Sequence, residues 1–275
     1  MFGEEIPYKE EVDNIPYKKK VQHWDIGFGL QATDNLKPSA YMISLAKKQI
    51  EGQINYQEIE NNLNVYYRDT HDLKCRTAEA DYSSLRISEI LATKAFTFSP
   101  ATLLSYHAQL FDGIPSFTYP VGKFRTTNIT KEEKVLHGDT VVYADFRSIK
   151  STLNWDFEQE KDFDYRGLDK AEIVHHVMRF ISNIWQVHPF REGNTRTVAV
   201  FAIKYFRSLG FDVRNEPFKN HSKYFRDALV FTHADRTLRT DQFLKRFTEN
   251  ILLNGQHVLS LSNRLENEKP TRGSL

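Results

Sequence analysis

The stretch His188-Pro-Phe-Arg-Glu-Gly-Asn-Thr-Arg-Thr197 decides how this chain reads. A histidine able to take a proton near pH 7, a carboxylate able to hold a hard cation, a glycine, an asparagine and an arginine fall together there. Residues upstream are helical in pattern. Asp169 is a candidate N-cap with Glu172 three positions on, the arrangement of a capping box. Ile173, Val177, Phe180 and Ile184 then recur at helical spacing. This helix is expected to end near Val187, because Pro189 pushes His188 out of helical geometry. Phe190 to Asn194 read as a loop, and a second helix as running from about Thr195 to Leu209, stopped by Gly210.

The loop therefore feeds a helix N-terminus, where free N–H groups and the helix dipole favour an anion. Gly193 lets a phosphate approach the backbone. Arg196, in the first turn, can grip phosphate oxygens with its planar fork. Glu192 can take Mg²⁺, which binds through one or two carboxylates together with substrate phosphates. His188 stands across the loop as a general base.

This stretch resembles the signature of the Fic family: His, any, Phe, any, Asp or Glu, Gly, Asn, Gly, Arg, two of any kind, Arg. His188, Phe190, Glu192, Gly193, Asn194 and Arg196 match it. Thr195 replaces the last glycine, and Ala199 stands where the second arginine is expected. In the family that arginine holds the γ-phosphate and pairs with an inhibitory glutamate. His107-Ala-Gln-Leu-Phe111, preceded by Ser99 and Pro100 as cap and first turn, resembles the family's His-x-x-Leu-Phe helix. Gly122-Lys-Phe-Arg125 with Asn128 resembles the segment that follows, and Tyr224 to Leu229 a later family helix. Val141, Val142 and Tyr143 begin a strand-like run after the turn His137-Gly-Asp, where the family carries a hairpin called the flap. The resemblance spans about Ser99 to Phe247.

The resemblance implies a protein adenylyltransferase. ATP and Mg²⁺ would be its cofactors, Phe190, Gly193, Asn194, Thr195 and Arg196 its nucleotide-binding residues, Glu192 its metal ligand and His188 its catalytic base. A Tyr, Thr or Ser hydroxyl on a target protein would receive AMP, with self-modification also open. The flap would hold the target by strand addition. Ser262-Asn-Arg-Leu-Glu266-Asn267 fits the family's inhibitory pattern, with Ser262, Glu266 and Asn267 as its regulatory residues. Ser83-Ser-Leu-Arg-Ile-Ser88 resembles the N-terminal version of that pattern, but Ser88 stands where the glutamate should be. Related readings are transfer of another nucleotide, phosphocholine or phosphate, removal of AMP, and a catalytically inactive interaction module.

The wider chain sets the frame. Its 275 residues suit one main domain with an appendage, and 40% hydrophobic content suffices for a core. A formal net charge of +1 gives no electrostatic case for nucleic acid or an acidic membrane. No apolar run reaches membrane-spanning length, and the N-terminus lacks a signal-peptide pattern. Cys75 is the only cysteine, as suits a reducing cytosol, so a cytoplasmic location is expected. Monomer and homo-oligomer are both left open.

The expected fold is mainly α. It comprises an N-terminal helical region (1–95), a Fic-type helical core with a small β-hairpin flap (96–250), and a C-terminal helix and tail (251–275). Residues 1 to about 34 read as irregular. Helices are expected near Ser39–Gln53, Tyr56–Arg68 and Thr77–Lys94. Asn154 to Gly167 reads as a surface loop. One helix should run from a cap at Thr240 toward Asn254, and a last one should cover Gln256–Glu266. Adjacent His175 and His176 point to different helix faces and do not make a zinc pair.

Overall fold

A computed structural model describes residues 15–69 and 76–261. The described chain is mainly helical, with ten α-helices and no strand among the described residues. In order these are α1 (Tyr17–Leu30), α2 (Ala40–Ile50), α3 (Tyr56–Asp69), α4 (Arg76–Ala92), α5 (Pro100–Phe111), α6 (Ile149–Lys161), α7 (Lys170–Val187), α8 (Asn194–Ser208), α9 (Glu216–Thr232) and α10 (Gln242–Leu252). Short 3₁₀ turns follow α1 at Gln31–Asp34 and precede α6 at Lys134–Leu136. One apolar core runs from Trp24 to Leu252. Helix α8 lies at its centre, packed on α5, α7 and α4, and is buried along nearly its whole length.

The capping box at Asp169 is present. Asp169 Oδ1 accepts from the N–H groups of Ala171 and Glu172 at 2.8 and 2.9 Å, and Glu172 Oε2 accepts from the Asp169 N–H at 2.8 Å. A cap of this kind contributes about 1 kcal/mol. It starts the helix that ends at His188.

The N-terminal segment departs from the irregular reading, because α1 is a full helix. Gly27 and Gly29 hid it, since each costs about 1 kcal/mol of helix propensity. They are there for packing. A Cβ at Gly29 would stand 2.2 Å from the Phe218 carbonyl oxygen, and one at Gly27 2.7 Å from that of Ser84. The glycines let α1 lie directly on α9 and α4. Trp24, Ile26 and Leu30 are buried there, and that contact overrides local propensity.

Three further expectations change. Asn154 to Lys161 is helical rather than loop. Its buried stripe of Ile149, Leu153, Phe157 and Glu160 begins before the acidic, aromatic stretch that suggested a surface segment. The flap at Val141–Tyr143 has no strand ladder; side chains hold it instead. Val142 O accepts from Gln186 Nε2 at 3.0 Å, and Ala144 O accepts from the Arg125 guanidinium. Residues 256–261 are not helical. After Asn254, at φ +56°, the chain folds back on α10, where the Asn250 amide pairs with both the N–H and the carbonyl of His257 (2.9 and 2.8 Å). The remainder of the expected final helix, with Ser262, Glu266 and Asn267, lies outside the described residues, as does Cys75. No described helix is long and apolar enough to cross a membrane.

Candidate functional site

The site is a narrow cleft at the junction of α7, the 188–193 loop and the start of α8. His188, Glu192, Asn194 and Thr195 line it, together with Tyr143 and Lys131 from the flap segment, Arg226 from α9 and Asp34 from the first 3₁₀ turn. His188 caps α7 in left-handed geometry, φ 50° and ψ 59°, which a β-carbon tolerates poorly and which the surroundings must hold in place. Arg125 supplies that restraint. Its Nε donates to His188 O at 2.8 Å, its backbone N–H donates to Pro189 O at 2.8 Å, and its Nη1 donates to Thr127 O at 2.8 Å. The Arg125 side chain thus ties the 188–193 loop to the flap segment.

His188 Nδ1 lies 3.2 Å from the Trp185 carbonyl, which can only accept. The proton therefore belongs on Nδ1, and the Nε2 lone pair is left to act as base. The ring stacks on Tyr143 at 4.1 Å and meets the edge of Trp185 at 5.3 Å. Burial, aided by the positive charges of Lys131, Arg125 and Arg226, pushes its pKa down to about 3. The imidazole is therefore neutral at physiological pH.

The loop is stapled from inside. The Asn194 side chain accepts from Phe190 N–H and donates to Phe190 O, both at 2.9 Å. Phe190 is fully buried and stacks on His107 at 3.9 Å. His107 Nδ1 accepts from the Gly122 N–H at 2.9 Å, so its Nε2–H donates to Glu192 O at 3.1 Å. Burial lowers the His107 pKa to about 4, so the ring stays neutral and keeps both bonds. Gly193 sits at φ +78°, and a Cβ there would stand 2.4 Å from the Phe111 ring. The helix that resembles the family's His-x-x-Leu-Phe segment thus forms the floor of the loop.

Glu192 is half-buried and turns Oε1 to the Gly193 N–H at 3.0 Å. A carboxylate at the mouth of an anion-favouring helix start suits a hard cation shared with phosphates. Thr195 does not crowd that helix start, because its hydroxyl turns away to accept from Trp185 Nε1 at 3.0 Å. Ala199 is fully buried in the core. On the flap, Val141 is buried, Val142 is 77% exposed and Tyr143 covers His188.

Arg196 is fully buried, and its guanidinium is engaged by protein groups. Its Nε lies 2.7 Å from Asp34 Oδ2, and its Nη2 donates to Glu79 Oε1 at 2.6 Å. Its Nη1 reaches Gln31 Oε1 at 3.3 Å and Ser83 Oγ at 3.4 Å, and the group lies over the Phe111 ring at 4.7 Å. A second arginine, Arg226, faces the cleft between Glu133 and Asp227, with Nη1 3.0 Å from Asp227 Oδ1. Asp34, Glu79, Glu133 and Arg226 were not legible as site residues. No local pattern links positions 34 and 79 to a motif beginning at 188, and Glu133 sits in the charged run Lys131-Glu-Glu-Lys134, which matches no part of that motif.

Residues 97–206 match the model of the Fic/DOC family. No curated protein matches the chain. Among solved structures it is similar to the N-terminal Fic domain of Bep8, a VirB-translocated effector of Bartonella sp. 1-1C. The identity is 18%, with 66% of this chain and 86% of that one covered and a TM-score of 0.49. It is also similar to BepC of Bartonella tribocorum, solved with bound AMPPNP, at 21% identity, covering 70% of this chain and 86% of that one, with a TM-score of 0.46.

Proposed function

We propose that this chain is a transferase that moves AMP from ATP to a hydroxyl side chain of a protein, which includes its own surface as a target. The observation that carries the reading is the fixed tautomer of His188: Nδ1–H is tied to Trp185 O, and Nε2 is left free beside a helix N-terminus. In the step, the target hydroxyl oxygen bonds to the α-phosphorus. The bond from that phosphorus to the pyrophosphate oxygen breaks, and the hydroxyl proton passes to His188 Nε2. The N–H groups at the start of α8 bind the phosphates, and Gly193 lets them come close. Mg²⁺, which supplies charge neutralisation on the phosphates, would be held by Glu192. With Arg196 held by Asp34 and Glu79, Lys131 is the cation of the cleft with no ion partner among the described residues.

The test is the intact mass of the chain after incubation with ATP and Mg²⁺, alone and with candidate targets. A gain of one AMP in wild type and none in His188→Ala supports the reading. Label carried over from the γ-phosphorus instead of the α-phosphorus replaces it with phosphate transfer. Equal labelling of wild type and His188→Ala removes His188 from the mechanism.

A further inference from the structure

A second concavity shares no lining residue with the cleft at His188. It is a cavity of about 530 Å³, within the range of small-ligand sites. One wall is the α7 stripe His175, Met178, Arg179 and Ser182, and the other is the α10 stripe Asp241, Leu244, Lys245 and Thr248. Both follow helical spacing at i, i+3, i+4 and i+7. Two helices in direct contact normally present apolar residues along such facing stripes. Here only Met178 and Leu244 are apolar, and the two touching helices leave a mostly polar hollow beside their contact. The turn between α9 and α10 closes one end with Thr232, His233, Arg239 and Thr240.

The hollow is cationic. Arg179, Arg239 and Lys245 face one lining carboxylate, Asp241, and none of the three cations has an ion-pair partner among the described residues. The nearby Glu249 is already engaged by His175 at 3.3 Å and His257 at 2.5 Å. At the base, Ser182 Oγ lies 2.7 Å from His233 Nε2, and the His233 ring stacks on Trp185 at 6.3 Å.

We propose that this cavity binds a phosphate-bearing anion of about nucleotide size, with Arg179, Arg239 and Lys245 gripping the phosphates and the Ser182 and Thr240 hydroxyls completing the site. It is separate from the cleft at His188 and does not depend on the transferase reading. Two guanidinium groups and an ammonium group that outnumber the single lining carboxylate are the chemistry that recognises phosphate.

The test is hydrogen exchange of the full chain titrated with two probes, ATP and inorganic pyrophosphate. Residues 175–183 and 239–248 are read separately from residues 188–196. Wild type is expected to show saturable protection of the α7 and α10 stripes. Arg239→Ala/Lys245→Ala should weaken that protection at least tenfold, while Arg239→Lys/Lys245→Arg keeps it. Both replaced residues are exposed, and an unchanged melting temperature confirms that the variant is folded. Equal protection by the two probes marks a polyphosphate site, and protection by ATP alone marks a nucleotide site. No protection at millimolar probe, or equal affinity in the alanine variant, overturns the proposal.

Discussion

Glu79 Oε1 accepts a hydrogen bond from Arg196 Nη2 at 2.6 Å, across 117 residues of chain. Asp34 closes on the same guanidinium from the first 3₁₀ turn at 2.7 Å. The motif arginine thereby anchors the N-terminal helices to the start of α8. Replacing Arg196 with Met should leave two carboxylates in a buried place without a partner and destabilise the chain by about 3–5 kcal/mol. Chemical denaturation measures this. Adding Asp34→Asn and Glu79→Gln to Arg196→Met should recover much of the loss. If Arg196→Met keeps its denaturation midpoint, the guanidinium has no anchoring role and its side chain is free for phosphate.

Gly193 is constrained twice, by φ +78° and by the Phe111 ring 2.4 Å from where a Cβ would stand. Gly193→Ala should therefore destabilise by roughly 1–3 kcal/mol from the backbone alone, with the ring clash in addition. AMP transfer should fall below detection as the loop shifts. Phe111→Leu in the same chain opens space but leaves φ unchanged, so it should recover stability only in part. Wild-type transfer by Gly193→Ala would show that the loop has no need of its observed geometry.

The site's centre was readable because its parts are local. The capping box, the pre-proline histidine and the glycine before a helix are set by neighbours within a few residues. Arg125 stood inside a weak resemblance, and its grip on His188 O and the flap became visible only in three dimensions. Asp34 and Glu79 had no such signal, because tertiary packing alone brings them to Arg196. The same holds for α1. Gly27 and Gly29 weaken it as a sequence, and their purpose is contact with Ser84 and Phe218, residues distant in the chain. The α6 stripe was missed because its apolar positions straddle the start of the acidic stretch.

Ala199 bears on regulation. The inhibitory pattern ending in Glu266-Asn267 acts, in the family it resembles, on an arginine at that position, and here a fully buried alanine occupies it. Arg196, the nearest motif arginine, already has two carboxylates. Glu266→Gly should therefore change the rate of pyrophosphate release from ATP by less than about threefold, under about 1 kcal/mol of barrier. A many-fold acceleration would mean that Glu266 acts through some other group.

Histidine burial makes the fold sensitive to mild acid. His23 and His188 are pushed down to about 3, and His107 and His233 to about 4, in each case chiefly by burial. Above pH 6.5 these rings are neutral in both folded and unfolded chains and add no pH dependence. Between pH 6.5 and about 4 the unfolded chain takes up protons that the folded one refuses, so stability falls as pH falls. Each ring removes about 1.4 kcal/mol per pH unit in that window. Asp156, raised to about 6 by burial, acts in the opposite sense and offsets one of the four between about pH 6 and 4. The net slope exhausts a typical stability of about 5–15 kcal/mol within a few pH units. The melting temperature should therefore be level from pH 8 to 7 and drop steeply below 6. Ring nitrogen resonances of His188 should keep the Nδ1–H tautomer down to the pH of unfolding. A melting temperature unchanged from pH 7.5 to 5, or a His188 ring that titrates near 6.5 in the folded chain, would refute the buried, neutral assignment on which its proposed role as a base rests.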